Sequence, residues 1–177
     1  MILGRRVLVA PIDGTLGTRI QAWRMIHDPR YAAVMPPHLT LCYQPPAAPV
    51  ALIEAQVRHA LPTPLPIHLG RFGELGNRDC TLCLAVLDTA ALDAARARLF
   101  DGTYVQFEGY RAWRWHVTCV RNGRTRDRAA LLTDAAQALG VEDEAWTLER
   151  VSLLERSPTR YEPIAEWPLA QTADASG

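Results

Sequence analysis

The sequence predicts an α+β fold of two lobes, on three observations. Short strand-like stretches alternate with helical ones along the whole chain. One order of elements occurs twice: a strand carrying His-x-Thr, then helix, strand and strand. The chain has 177 residues, 49% of them apolar, which suffices for one compact domain or two small lobes sharing a core.

The elements follow in order. Arg5–Pro11, rich in Val and Leu, reads as the first strand. Residues from about Leu16 to His27 read as a helix that Asp28-Pro29 ends. Pro36-Pro37 stiffens the approach to His38-Leu-Thr-Leu-Cys-Tyr, a short alternating strand. A proline-rich loop, Gln44–Pro49, precedes a helix over Pro49–Ala60, with Leu52, Ile53, Gln56 and Val57 near one face. Pro62, Pro64 and Pro66 break it. Leu65–Leu69 and Cys80–Leu87 read as strands, with the glycine-rich loop Gly70–Asp79 between them. Asp88–Phe100 is Ala-rich and helical, and Tyr104–Phe107 reads as a short strand. Trp113–Val120 is the second motif strand, and Asn122-Gly123 a turn. Arg126–Leu139 is a helix closed by Gly140. Trp146–Glu155 and Tyr161–Leu169 read as the last two strands. The whole is expected to be a single domain over 1–171, with half-repeats at roughly 14–87 and 88–169. Residues 172–177 form a small polar tail expected to fray.

Lys+Arg and Asp+Glu both number 19. A protein that grips long nucleic acid by its phosphates shows a basic excess, so the balance points to a small ligand or the end of a chain. No apolar run reaches the ~18 residues a membrane helix needs, and the start lacks a signal peptide's apolar stretch. A cytoplasmic monomer without a membrane anchor is expected. In a reducing compartment, Cys42, Cys80, Cys83 and Cys119 read as small buried apolar residues. The single Cys80-x-x-Cys83 lies in a core-like strand and lacks the four-ligand pattern of a structural zinc site.

Residues at i and i+2 of a strand share a face. His38 projects with Thr40, and His116 with Thr118, each pair from an apolar backing. Together they offer two imidazoles and two hydroxyls. That set suits phosphoryl chemistry by acid–base catalysis. One imidazole takes a proton from water and the other gives one to the leaving oxygen, while hydroxyls support the charged phosphoryl oxygens. Five histidines and thirteen threonines would give about 0.4 such pairs by chance, so their presence alone decides little. Their matched places in a repeated unit carry the weight.

Pro36-Pro37-His38-Leu39-Thr40-Leu41 and Trp115-His116-Val117-Thr118-Cys119-Val120-Arg121 resemble the two signature segments of the 2H phosphoesterase superfamily. Its bacterial members are often labelled 2'-5' RNA ligase or RNA 2',3'-cyclic phosphodiesterase. Trp23-Arg24 through His27-Asp28-Pro29 resembles the segment before the first motif. Val151–Ser157 with Arg160-Tyr161-Glu162 is similar to the closing hairpin. The resemblance covers nearly the whole chain. It implies a bilobal, pseudo-symmetric fold with two antiparallel β-sheets, flanking helices and a central cleft, and catalytic roles for His38, Thr40, His116 and Thr118. Cys119 and Cys42-Tyr43-Gln44 depart from many members.

The expected activity is metal-independent hydrolysis of 2',3'-cyclic phosphates on RNA ends or nucleotides, with no cofactor. The alternatives are 2'-5' ligase or 2'-5' phosphodiesterase activity, or a module that binds RNA ends or nucleotides without turnover. Tyr43, Arg114 and Arg121 are the candidate substrate-binding residues. Arg114 shares the His116 face. Tyr43 and Arg121, five positions past each histidine, point away by strict alternation. His27, His59 and His68 read as surface or cap residues.

Overall fold

The computed structural model describes residues 5–44, 48–75, 81–99, 114–121, 127–140 and 144–170. The elements are β1 (Arg6–Pro11), α1 (Gly14–His27), α2 (Pro29–Val34), β2 (His38–Gln44), α3 (Val50–Ala60), β3 (Leu65–Glu74), β4 (Leu82–Leu87), α4 (Ala90–Leu99), β5 (His116–Val120), α5 (Arg128–Leu139), β6 (Ala145–Leu148), β7 (Arg150–Arg156) and β8 (Tyr161–Pro168). The strand expected at Tyr104–Phe107, the Asn122-Gly123 turn and the tail lie outside the described residues.

The strands run in the order β6-β3-β4-β5-β2-β1-β7-β8, and every neighbouring pair is antiparallel. The two motif strands, β5 and β2, are neighbours at the middle. Four strands lie on each side of that seam, and among the described residues one strand-paired couple, Leu39 with Val117, crosses it. The chain crosses the seam after each motif strand. β2 and α3 lead to β3, which pairs with β4 and β6 in the His116 lobe. β5, α5 and β6 lead to β7, which pairs with β1 and β8 in the His38 lobe. The halves are therefore interlocked as well as adjacent.

One continuous strand was expected over Trp146–Glu155, but there are two. β6 edges the His116 lobe and β7 lies inside the His38 lobe, with Glu149 alone between them. Its carbonyl accepts from Leu169 N at 2.7 Å. Two Cα atoms two residues apart cannot be separated by more than about 7 Å, so the sheet curls until its ends approach each other. The glycine-rich stretch from Gly70 is also not all loop. β3 continues to Glu74 through a bulge between Leu69 and Phe72, a role suited to a strand glycine. Asp28-Pro29 ends α1 as expected and also begins α2. Pro29 sits where a helix has no use for an N–H, and Asp28 caps the Tyr31 amide.

One face of the sheet is covered by helices. Leu8, Leu39, Leu69, Leu84, Val117 and Leu153 meet Ile20 and Trp23 of α1, Ile53 and Val57 of α3, Leu92 and Leu99 of α4, and Leu131 of α5 in one core. The other face carries the motif side chains. There Val7, Val9 and Leu154 pack under Tyr31 and Met35 from the α2 segment. α5 ends as the sequence reading expects, with Gly140 in the left-handed region at φ 53°.

The entry to β2 is fixed from behind. Ile12 N donates to Pro37 O at 3.1 Å, next to His38, and α1 starts against the same residue. A Cβ on Gly17 would lie 1.9 Å from the Ile12 carbonyl oxygen, which backbone alone would have to relieve. Gly17→Ala should therefore destabilise the fold by about 1–3 kcal/mol, read as a lower urea midpoint. An unchanged midpoint would show that this contact does not constrain the β2 entry.

Candidate functional site

The antiparallel sense about Leu39 and Val117 sets His38 alongside Thr118, and Thr40 alongside His116. The two histidines are then diagonal neighbours, whose Cα atoms ordinarily lie roughly 7–8 Å apart. The four motif side chains thus converge on one face of the seam. His38 and Thr118 are buried, and Thr40 and His116 are half-buried.

Each ring is oriented by the same local device. His38 Nδ1 lies 2.7 Å from Pro36 O, and His116 Nδ1 lies 2.6 Å from Arg114 O. A carbonyl oxygen only accepts, so each Nδ1 carries the proton and donates it. Nε2 is left in both rings as the nitrogen that can take or give a proton. The carbonyl belongs in each case to the residue two positions before the histidine. These main-chain partners carry no side-chain signature, which is why sequence reading misses them.

Both motif strands also carry a bulge at the same place. In β1–β2, Leu8 faces Cys42 and Val9 faces Thr40, leaving Leu41 without a partner. In β4–β5, Leu82 faces Val120 and Cys83 faces Thr118, leaving Cys119 without one. Leu41 with Cys42, and Cys119 with Val120, all turn into the helix-covered core. The extra residue resets the alternation. Tyr43 and Arg121, which strict alternation turns away from the histidines, are instead on the motif face. Tyr43 packs on the Val7, Val9 and Leu154 cluster, and the Arg121 guanidinium lies 4.3 Å from the Tyr31 ring centroid. Consecutive core residues in each strand, Leu41-Cys42 and Cys119-Val120, are the pattern that could have revealed the bulges.

Three further residues belong to this neighbourhood. Arg24 is fully buried. Its guanidinium donates to Met35 O at 2.7 Å and Gln21 Oε1 at 3.1 Å and lies 4.9 Å from the Tyr31 centroid. Burial lowers its pKa, against the opposing influence of Tyr31, Cys119 and Asp28. Cys83, cross-strand from Thr118, is buried on the motif face. Burial pushes its thiol up to about 11, with Arg114 pulling the other way. Asp28 accepts from the Arg121 amide at 2.8 Å. Arg114 itself is exposed. Of the other histidines, His27 pairs with Asp134 at 3.0 Å, His68 is exposed beside Asp88, and His59 is exposed. Cys42, Cys83 and Cys119 are buried thiols that form no disulfide. Cys80 lies outside the described residues.

Charge is unevenly distributed despite the neutral total. Burial pushes His38 down to about 4. The Pro36 carbonyl opposes that shift, and Arg24, His116 and Arg121 reinforce it. Burial also lowers His116, opposed by the Arg114 carbonyl and reinforced by Arg121. The two rings are close enough to influence one another. Cations surrounding two neutral imidazoles make a place that favours an anion.

The sequence pattern of the 2'-5' RNA ligase superfamily matches residues 12–160, which include both motif strands. The chain belongs to that superfamily. Structures of E. coli LigT share the fold. The NADP+ complex aligns over 94% of this chain and 98% of its own, with a TM-score of 0.61 and 16% identity. The apo form aligns over the same shares, with a TM-score of 0.61 and 19% identity. A structure described as a phosphoesterase covers 94% of this chain and 99% of its own, with a TM-score of 0.59 and 16% identity. No curated protein matches. The 2H phosphoesterase resemblance of the motifs thus holds at the level of superfamily, and the bilobal α+β architecture at the level of fold. Among the described residues, no helix is long and apolar enough to cross a membrane.

The depressed His38 pKa has a consequence for stability in acid. In the unfolded chain this ring titrates near 6.5, and in the fold near 4. Above pH 6.5 it is neutral in both states, and its contribution is fully present. As pH falls from 6.5 to 4 the unfolded chain gains a proton that the folded one refuses, and up to about 3 kcal/mol is lost. His38→Asn, which keeps a donor for Pro36 O, should flatten the fall in stability over that window. A variant that loses stability as steeply as wild type between pH 6.5 and 4 would refute the assignment.

Proposed function

We propose that this protein is a phosphoesterase that opens 2',3'-cyclic phosphates on RNA ends or nucleotides, using His38 and His116 as the acid–base pair. The observation that carries this reading is the matched pair of Nδ1-to-carbonyl bonds. They give both histidines one tautomer, leaving two Nε2 atoms for proton transfer above a shared seam. A neutral Nε2 takes a proton from water as the water oxygen bonds to phosphorus. A protonated Nε2 gives its proton to the ribose oxygen as the P–O bond breaks. The net change is addition of one water and conversion of the cyclic diester to a monoester. Thr40 and Thr118 donate to the phosphoryl oxygens, where negative charge builds. Arg121 supplies a cation on the same face, and Tyr43 and Arg114 flank the pair as substrate contacts. With a 5'-hydroxyl in place of water, the same groups would bond the 5'-oxygen to phosphorus as the P–O3' bond breaks, leaving a 2'-5' linkage. The reverse step would cleave one, so a 2'-5' linkage is the natural second substrate.

The affiliation supports a phosphoesterase or ligase-like enzyme. Structures of E. coli LigT are described as complexes with 3'-AMP, ATP and NADP+. An adenosine-containing phosphate ester is common to these three and is the kind of ligand proposed here.

Cyclic nucleotides and 2'-5' oligomers should be hydrolysed equally well with and without EDTA. His38→Ala and His116→Ala should each lower kcat/KM by about 10²–10⁴-fold. Turnover that survives both substitutions would refute the mechanism, and binding without turnover in wild type would favour the non-catalytic module. The pH profile of kcat/KM should be bell-shaped with its maximum on the acid side of neutrality. One ring must be neutral, which is lost below about pH 4, and the other protonated, which is lost as pH rises past a His116 pKa below 6.5. The two limbs belong to the pair, whichever ring acts as base. A maximum above pH 8 would contradict this.

A further inference from the structure

Asp28 accepts from two backbone amides that belong to different lobes. Oδ1 takes the Tyr31 N–H at 3.3 Å, in the first turn of α2. Oδ2 takes the Arg121 N–H at 2.8 Å, 93 residues further along the chain. Tyr31, buried among Val7, Val9, Met35 and Leu154, in turn lies under the Arg121 guanidinium. Arg121 is thus held twice, its main chain by Asp28 and its head group by the ring that Asp28 helps to seat.

The way it is held leaves its chemistry available. A ring face attracts the flat guanidinium without using its N–H donors, which lie in the plane. Other arginines spend those donors on carboxylates: Arg6 on Glu155, Arg58 on Glu54, Arg128 on Glu74, and Arg150 on Asp13 and Glu166. Among the described residues no carboxylate pairs with the Arg121 guanidinium, because the nearby Asp28 is engaged by backbone. The latch also reaches the other half of the site. Met35 N donates to Tyr31 O at 3.2 Å, and the next residue, Pro36, supplies the carbonyl that orients His38.

We propose that Asp28 and Tyr31 are positioning residues that latch the two lobes together and aim the Arg121 guanidinium at an oxygen of the substrate's phosphoryl group. This rests on the reading of the seam as a phosphoester site. Arg121 is the group that touches substrate, and the other two act only through it.

The test is calorimetric binding of 3'-AMP and inorganic phosphate to the whole chain, with melting temperatures recorded alongside. Arg121→Met should weaken 3'-AMP by about tenfold or more, the loss expected for a charge-assisted bond. Tyr31→Leu should weaken it about three- to tenfold, and Tyr31→Phe, which keeps the ring, should match wild type. Asp28→Asn offers one oxygen where the carboxylate offers two. It should weaken binding to a similar extent and carries the comparison if Tyr31→Leu does not fold. Combined with Arg121→Met, either substitution should cost nothing further. Full-strength binding by Asp28→Asn and Tyr31→Leu, or losses that add to that of Arg121→Met, would overturn the latch. Wild-type protein that binds neither 3'-AMP nor phosphate would instead sink the phosphoester reading beneath it.

Discussion

Among the described residues, Leu39 and Val117 are the strand-paired residues that join the two four-stranded units, and the geometry of the site descends from that pairing. An antiparallel pairing at that point makes the motif strands run past each other. Each histidine then lies beside the other strand's threonine. Side chains opposite the motif residues anchor the arrangement. Leu39 and Val117 are fully buried among helices from both halves, so the seam cannot slip by one residue without exposing both and inverting the motif face. The interlocked order of β3 and β7 reinforces this, because neither half owns a complete sheet.

The electrostatics follow from where that seam is buried. His38 is buried with its Nδ1 held by the Pro36 carbonyl, and a buried imidazole resists protonation. Arg24 is enclosed beside it with main-chain and amide partners but, among the described residues, no paired carboxylate. A buried guanidinium without a paired carboxylate is costly, and under the proposed function an anionic substrate would offset that cost. The neutral composition therefore describes the whole surface and says little about this face, where Arg24, Arg121, His38 and His116 gather.

Much of this was legible in sequence where a pattern is local. The strand and helix around each motif, the Gly140 helix end and the pairing of His38 with Thr40 follow from period and punctuation. That the motif strands are neighbours was not legible, since alternation cannot say which strands pair. What could not be read depends on tertiary context. Trp146–Glu155 looks like one strand because Glu149 carries no turn signal, yet the chain passes there from one lobe to the other. Tyr43 and Arg121 rejoin the motif face through bulges, and a bulge is set by the partner strand's register. Asp28 looks like a helix stop, and its bond to Arg121 spans just over half the chain. The carbonyls that fix the histidine tautomers have no residue-type code at all.

Two imidazoles with Nδ1 protonated and Nε2 available underlie the proposed chemistry. Nitrogen-15 NMR of the imidazole rings, with His38→Gln and His116→Gln to assign signals, tests this most directly. At pH 7 without ligand, both rings should show the neutral tautomer with the proton on Nδ1, and saturating phosphate should move at least one toward the protonated form. Rings protonated on Nε2 in the free protein, or signals that phosphate leaves unmoved, would contradict it.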